Sequence, residues 1–362
     1  MEPVERPSDR PAAVQPESLE SHAGANPLVV EVTRGNMIES RHRAAFAVVD
    51  AAGGVALSAG DLEQPVYPRS AIKPLQALPL IETGAAAAYG LGDAEIALAC
   101  ASHGGEPRHV ETVMAWLARI GCSPDDLECG VHLPTHEPSM MALLRSGGEA
   151  GAVHNNCSGK HSGFLTVARH LGKPTKGYIG YGHPVQQHIL GVLESMTGLD
   201  LSRAPRGIDG CGIPTIGIPL GNLALAMARL GDPRDQPESR QAACARIRHA
   251  VAAEPFMVAG SGRFCTQVMT VTGAAALIKT GAEGVYCGSL PGLGLGIALK
   301  VDDGAGRAGN VLMGRLLRHF GVFDEAPGRP GSQVLEEVLE PPVLNRAGLT
   351  VGQIRSTTPG PF

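Results

Sequence analysis

Aromatic residues are scarce, at 4% of the 362 residues, so the core must be filled mainly by aliphatic side chains from the 43% hydrophobic fraction. No apolar run approaches the ~20 residues needed to span a bilayer as a helix. Basic charge is in deficit, with 30 Lys and Arg against 35 Asp and Glu for a formal net charge of −5. That balance gives no basic surface for nucleic acid. The opening stretch "MEPVERPSDRPAAVQPESLESHAG" lacks the apolar segment of a secretory signal. Paired cysteines are also missing. Cys100, Cys122, Cys129, Cys157, Cys211, Cys244, Cys265 and Cys287 are scattered, which argues against a disulfide framework. These absences lead to the expectation of a cytoplasmic protein that works on neither nucleic acid nor membrane.

Two nucleotide-like stretches also lack what their motifs need. "NNCSGKHSG" has His154 in place of the first P-loop glycine and His161 in place of the Ser or Thr after the lysine. "GLGLG" has Ile297 where a dinucleotide fingerprint requires its last glycine, and reads as a glycine-rich strand in tight packing.

Residues 1–27 are rich in Pro, Glu and Ser and are expected to form a disordered tail. Order is expected from 28 to 362, with sheet-forming segments at 28–68 and 265–362 around a helical region at 69–264. "AAFAVVDAAGGVALSAG" reads as two strands joined at Gly53-Gly54. "RSAIKPLQALPLIETG" has helical spacing, and further helices are predicted at 93–100, 107–120, 158–171, 184–197, 219–230 and 239–253. Residues 273–302 switch to short strands, and "NVLMGRLLRHFG" is predicted to be helical. This order predicts an α/β (α+β) fold in which both chain ends build one antiparallel sheet around an inserted helical region.

Ser70 and Lys73 are three residues apart at the head of a predicted helix, which places both on one face. A desolvated lysine can take a serine's proton, but Ser-x-x-Lys alone is as readily a helix cap beside a solvated lysine. Ser102-His103 precedes two glycines, a backbone that a ligand can approach closely or a simple capped turn. Cys157 and Cys211 each lie in a glycine-flanked turn. Taken alone, such single cysteines fit buried, unreactive thiols better than a zinc site. Asp209 has the place to pair with a substrate amine or to cap its own loop.

Taken together, eight segments in order resemble the thermolabile bacterial L-asparaginase type II family of the rhizobial type. They are "RGNMIESRHRAAFAVVD", "RSAIKPLQAL", "ALACASHGGEPRHV", "CGVHLP", "NNCSGKHSGFL", "GHPVQQ", "GIDGCGIPT" and "MVAGSGRFCTQVM". The resemblance implies a fold like serine β-lactamases and glutaminases, a homodimer, and hydrolysis of L-asparagine to L-aspartate and ammonia. It implies two Ser-Lys pairs, Ser70 with Lys73 and Ser102 with Lys279, and a zinc held by Cys157, Lys160 and Cys211. Ser70 is the preferred nucleophile on helix geometry. Arg69, His161, Asp209 and Arg263 are expected around the substrate. Gly104 and Ser261 depart from the pattern, which has a serine and an acidic residue there. Two other readings are a β-lactam-binding serine acylase, since Lys279-Thr280-Gly281 is present, and an inactive zinc-binding amino-acid sensor.

Overall fold

The apolar runs from the two ends of the chain pair with one another in the computed structural model, which describes residues 25–357 and the backbone of a two-residue strand at Glu17–Ser18. The rest of the expected tail lies outside the described residues, but its last residues are anchored. Asn26 Nδ2 donates to Asp302 Oδ1 at 2.7 Å, and Asn26 accepts from the Asp61 N–H at 2.8 Å.

Strand β1 (Leu28–Arg34) pairs with the first half of the long strand β2 (Met37–Asp50), and β3 (Val55–Ala59) pairs with its second half. The β2–β3 link is the expected glycine hairpin, with Gly53 at φ +94° and the Asp50 N–H donating to Gly54 O at 2.9 Å. Late in the chain, β4 (Leu277–Thr280), β5 (Val285–Leu290) and β6 (Leu295–Val301) form a meander, followed by β7 (Pro342–Leu344) and β8 (Thr350–Ser356). The order β7-β8-β1-β2-β6-β5-β4 is antiparallel at every step, and β6 joins the two ends by pairing with Ala44–Asp50 of β2.

All six residues of β5 are buried, so the sheet is covered on both faces. Helices Leu220–Gly231 and Gly306–His319 pack against it. Of "GLGLG", read as a strand in tight packing, Gly292 and Leu293 form a 3-10 turn with Gly294 as its cap. Only Leu295 and Gly296 lie in β6, where a Cβ at Gly296 would lie 2.1 Å from both Ala224 O and Ala228 N of the first helix. Gly296→Val is therefore expected to cost about 3 kcal/mol by overpacking. An unchanged denaturation midpoint in guanidinium would refute this packing.

The predicted helices in the middle of the chain run over Asp93–Ala99, Pro107–Arg119, Ser158–His170, Pro184–Thr197, Leu220–Gly231 and Glu238–Ala253. The stretch from Arg69 to Gly84 is not one helix. It breaks into a 3-10 turn (Arg69–Ile72) and helices Lys73–Gln76 and Leu78–Glu82, because Pro74 and Pro79 lack the N–H that would continue the ladder. Helices Glu137–Arg145, Phe264–Thr272 and Pro330–Leu339 were not expected, and the last two interrupt a region read mainly as sheet. Among the described residues no helix is long and apolar enough to cross a membrane.

Candidate active site

Three separate elements deliver side chains to one point. Ser102 lies just beyond helix Asp93–Ala99, held by its N–H donating to Val258 O at 2.9 Å. Lys73 begins the short helix after the 3-10 turn, and Lys279 sits on β4. Both lysines are buried, at 0% and 1% exposure, so each amine must find acceptors inside the protein. Lys73 Nζ donates to Ala101 O, to Ser102 Oγ at 3.0 Å and to Cys157 Sγ at 3.1 Å. Lys279 Nζ lies 2.9 Å from Ser102 Oγ and donates to Thr280 O at 2.7 Å. Burial, reinforced by the neighbouring Lys73 charge, lowers the Lys279 pKa to about 7.

The pairing thus differs from the one read off sequence spacing. Ser102 has both lysines, and the Lys73 amine reaches it instead of Ser70. Ser70 stands on the half-buried 3-10 turn, while the Lys73 side chain runs inward to the acceptors that burial demands. Arg69, beside Ser70, holds a left-handed backbone at φ +50°, a strain of roughly 1–3 kcal/mol for a non-glycine residue. Its guanidinium donates to Asp209 Oδ1 at 2.8 Å, an ion pair that braces this turn.

The second group is a cluster of two thiols and an amine. Cys157 precedes helix Ser158–His170, Lys160 is in that helix's first turn, and Cys211 lies in the turn of a small hairpin formed by Arg206–Ile208 and Pro214–Ile216. Lys160 Nζ donates to Cys211 Sγ at 3.0 Å, and all three residues are at most 5% exposed. The Cys211 thiol donates toward Cys157, which together with the Lys160 and Lys73 charges pulls the Cys157 pKa well down. Cys211 is raised correspondingly by that same bond. Burial alone would lower Lys160, but the Cys157 charge and the bond to Cys211 outweigh it and hold the pKa above its ordinary value. Among the described residues no group of three His, Cys, Asp or Glu side chains is placed to hold a metal. The thiol pair has lysine as its third member instead.

The remaining expected residues divide. Asp209 is next to the thiol cluster and is held below its ordinary pKa, because Lys160 and Arg69 outweigh the effect of burial. His161 is fully buried, with Nδ1 2.8 Å from the Tyr178 hydroxyl and Nε2 without a hydrogen-bond partner among the described residues. Arg263 is exposed at the start of helix Phe264–Thr272, yet near enough to Lys279 for its charge to contribute to the lowered pKa.

His103 was quoted in the sequence without a role. Its Nδ1 accepts from the Gly105 N–H at 3.1 Å, which leaves Nε2–H to donate to Ser158 Oγ at 2.9 Å. Ser158 Oγ in turn donates to Val153 O at 2.9 Å, so a neutral histidine ties the Ser102 loop to the helix carrying Lys160. No spacing rule links positions 103 and 158, and only the pair of glycines after His103 hinted at a close backbone approach.

The profile of the family described as L-asparaginase II matches residues 30–356. No curated protein matches the sequence. Among solved structures, a β-lactamase from Mycobacterium bovis is 16% identical, over 82% of this chain and 95% of that one, with a TM-score of 0.35. A protein from Bacteroides dorei, assigned to the β-lactamases, is 12% identical over 76% of this chain and 84% of that one, with a TM-score of 0.33.

Proposed function

The chain belongs to the L-asparaginase II family, and on that footing we propose that it hydrolyses L-asparagine to L-aspartate and ammonia with Ser102 as nucleophile. The observation that carries the choice of residue is the convergence of two buried lysine amines on one hydroxyl, both within 3.0 Å. A serine is a weak nucleophile until a base takes its proton. With a pKa near 7, Lys279 is available as a neutral amine at ordinary pH, whereas a solvated lysine is not.

Ser102 Oγ attacks the side-chain amide carbon as its proton passes to Lys279 Nζ. Lys279 then returns the proton to the departing nitrogen, the C–N bond breaks, and ammonia leaves an ester on Ser102. Water, deprotonated by the same amine, cleaves the ester to free aspartate and restore the hydroxyl. Lys73 stays beside the hydroxyl and orients it through the bonds to Ala101 O and Ser102 Oγ. For the substrate, Arg69 and the Gly210 N–H both occupy Asp209 Oδ1, and Oδ2 is assigned to its ammonium group. His161 and Arg263 are assigned to the surrounding pocket.

The reading includes one zinc at Cys157, Lys160 and Cys211. Two buried sulfurs and a nitrogen, with Lys160 Nζ 3.0 Å from Cys211 Sγ and Cys157 influenced by both, suit zinc as three protein ligands with a fourth position open. Bound there, zinc would supply fixed positive charge that holds the helix start and hairpin turn together. Lys160 must give up its proton to serve as a ligand, so metal uptake is coupled to proton release.

The Lys279 pKa sets an expected pH profile. Since the neutral amine is the working form, kcat/KM should fall about tenfold per pH unit below about 7 and level off above it. Initial rates of ammonia release from pH 5 to 9 check this, and a flat profile down to pH 5 removes Lys279 as the base. The Lys279-Thr280-Gly281 sequence at the end of the strand beside Ser102 favours a β-lactam acylase as the second reading. Turnover of a chromogenic cephalosporin in preference to asparagine would replace the first reading with that one.

A further inference from the structure

We propose that Glu106 is a positioning residue for the reaction, latching the turn at 260–263 onto the Ser102 loop with Ser261 as its partner. Glu106 is a carboxylate only 6% exposed, and the chemistry derived above makes no use of it. Its Oε1 accepts from the Ser261 N–H at 2.8 Å, and its Oε2 accepts from the Ser261 hydroxyl at 2.7 Å. Burial alone would raise its pKa. The two Ser261 bonds, with help from His136 at 3.8 Å, reverse that and keep it ionised as an acceptor for both donors.

The geometry of the turn is specific to this carboxylate. Gly260 has φ +99°, and a Cβ there would stand 2.2 Å from Glu106 Oε1, so no other residue admits the carboxylate at this distance. On one side of the turn, Val258 O accepts the Ser102 N–H at 2.9 Å. On the other side, Arg263 opens helix Phe264–Thr272 and its charge acts on Lys279. One carboxylate therefore closes a ring that runs from Ser102 through Glu106 and Ser261 to Val258 and back to Ser102.

Gly104 and Ser261, the two positions set apart in the sequence analysis, both fall on this ring. A side chain at Gly104 would bring its Cβ to 3.1 Å from His136 Cβ and 3.3 Å from Glu106 Oε1, pressing on both. An acidic residue at 261 would face Glu106 with a second negative charge, where Ser261 offers two donors. In this chain the latch depends on Ser261 being a donor.

The proposal rests on the amidohydrolase reading for its kinetic readout, and a second readout is independent of it. Ser261→Asp should lower kcat for ammonia release by about 10²-fold and Ser261→Ala by about tenfold, because displacing the nucleophile by an ångström acts on the chemical step. KM should change less than kcat, since Asp209, assigned to the substrate ammonium, lies elsewhere and only Arg263 of the assigned pocket is on the latched turn. Ser261→Thr, which keeps the hydroxyl, should restore most of kcat. Hydrogen exchange of the amides at 260–263 should be faster in Ser261→Asp than in wild type. Equal exchange in the two proteins overturns the latch whatever the activity. A kcat that falls only in step with the melting temperature, or that Ser261→Thr fails to rescue, also overturns it. Wild-type protein that releases no ammonia would instead sink the amidohydrolase reading and leave the exchange experiment to judge the latch.

Discussion

Ser102→Ala should reduce ammonia release from asparagine by roughly 10³-fold or more, because a triad-like nucleophile acts as a unit with its base and nothing replaces it. The fold should survive the change. With the hydroxyl gone, Lys73 keeps Ala101 O and Cys157 Sγ, and Lys279 keeps Thr280 O, so neither buried amine is left without an acceptor. Steady-state kinetics beside circular dichroism make the measurement. Ser70→Ala should cost less than Ser102→Ala, since the bonds of Lys73 go to the other serine. If Ser70→Ala proves the more damaging, the roles exchange and the pairing read from helix spacing is restored.

The second large effect concerns the thiol cluster. Protein purified without chelator should carry about one zinc per chain, and Cys157→Ser or Cys211→Ser should reduce this to a small fraction. Removing one thiolate leaves too few donors to compete with water for the ion. Substrate affinity should weaken more than global stability, because Cys211 shares a hairpin turn with Asp209, whereas the buried core beneath it is continuous without the metal. Elemental analysis with KM and melting temperature for the three proteins tests each part. Zinc-free wild type, prepared without chelator, would return both cysteines to the role of buried thiols.

Much of the architecture was legible because it follows from local rules. Periodic apolar residues marked the helices at 107–120 and 184–197, and glycines marked the β2–β3 hairpin, to within a residue or two. The helix expected from Arg69 to Gly84 failed for a local reason as well, since its two prolines were visible in the sequence and were given too little weight. Helix Glu137–Arg145, which buries no residue, was missed because nine residues give a period too few turns to stand out from the loops around it.

Sequence by itself determined the candidate residue types and the order in which they occur. Ser70, Lys73, Ser102, Cys157, Lys160, Asp209, Cys211 and Lys279 were all singled out, and all lie within the residues 30–356 that the family profile matches. Only the tertiary structure decided which of them meet. Spacing along a helix favoured Ser70 as the partner of Lys73, but burial of the amine overrides spacing. A lysine with no access to water goes where acceptors are, and those were Ala101 O, Ser102 Oγ and Cys157 Sγ from two distant segments. The same holds for Glu106 and Ser261, 155 positions apart and joined by two hydrogen bonds. Local propensity reads neighbours within a few residues, while desolvation of a charge is settled by whatever the folded chain places around it.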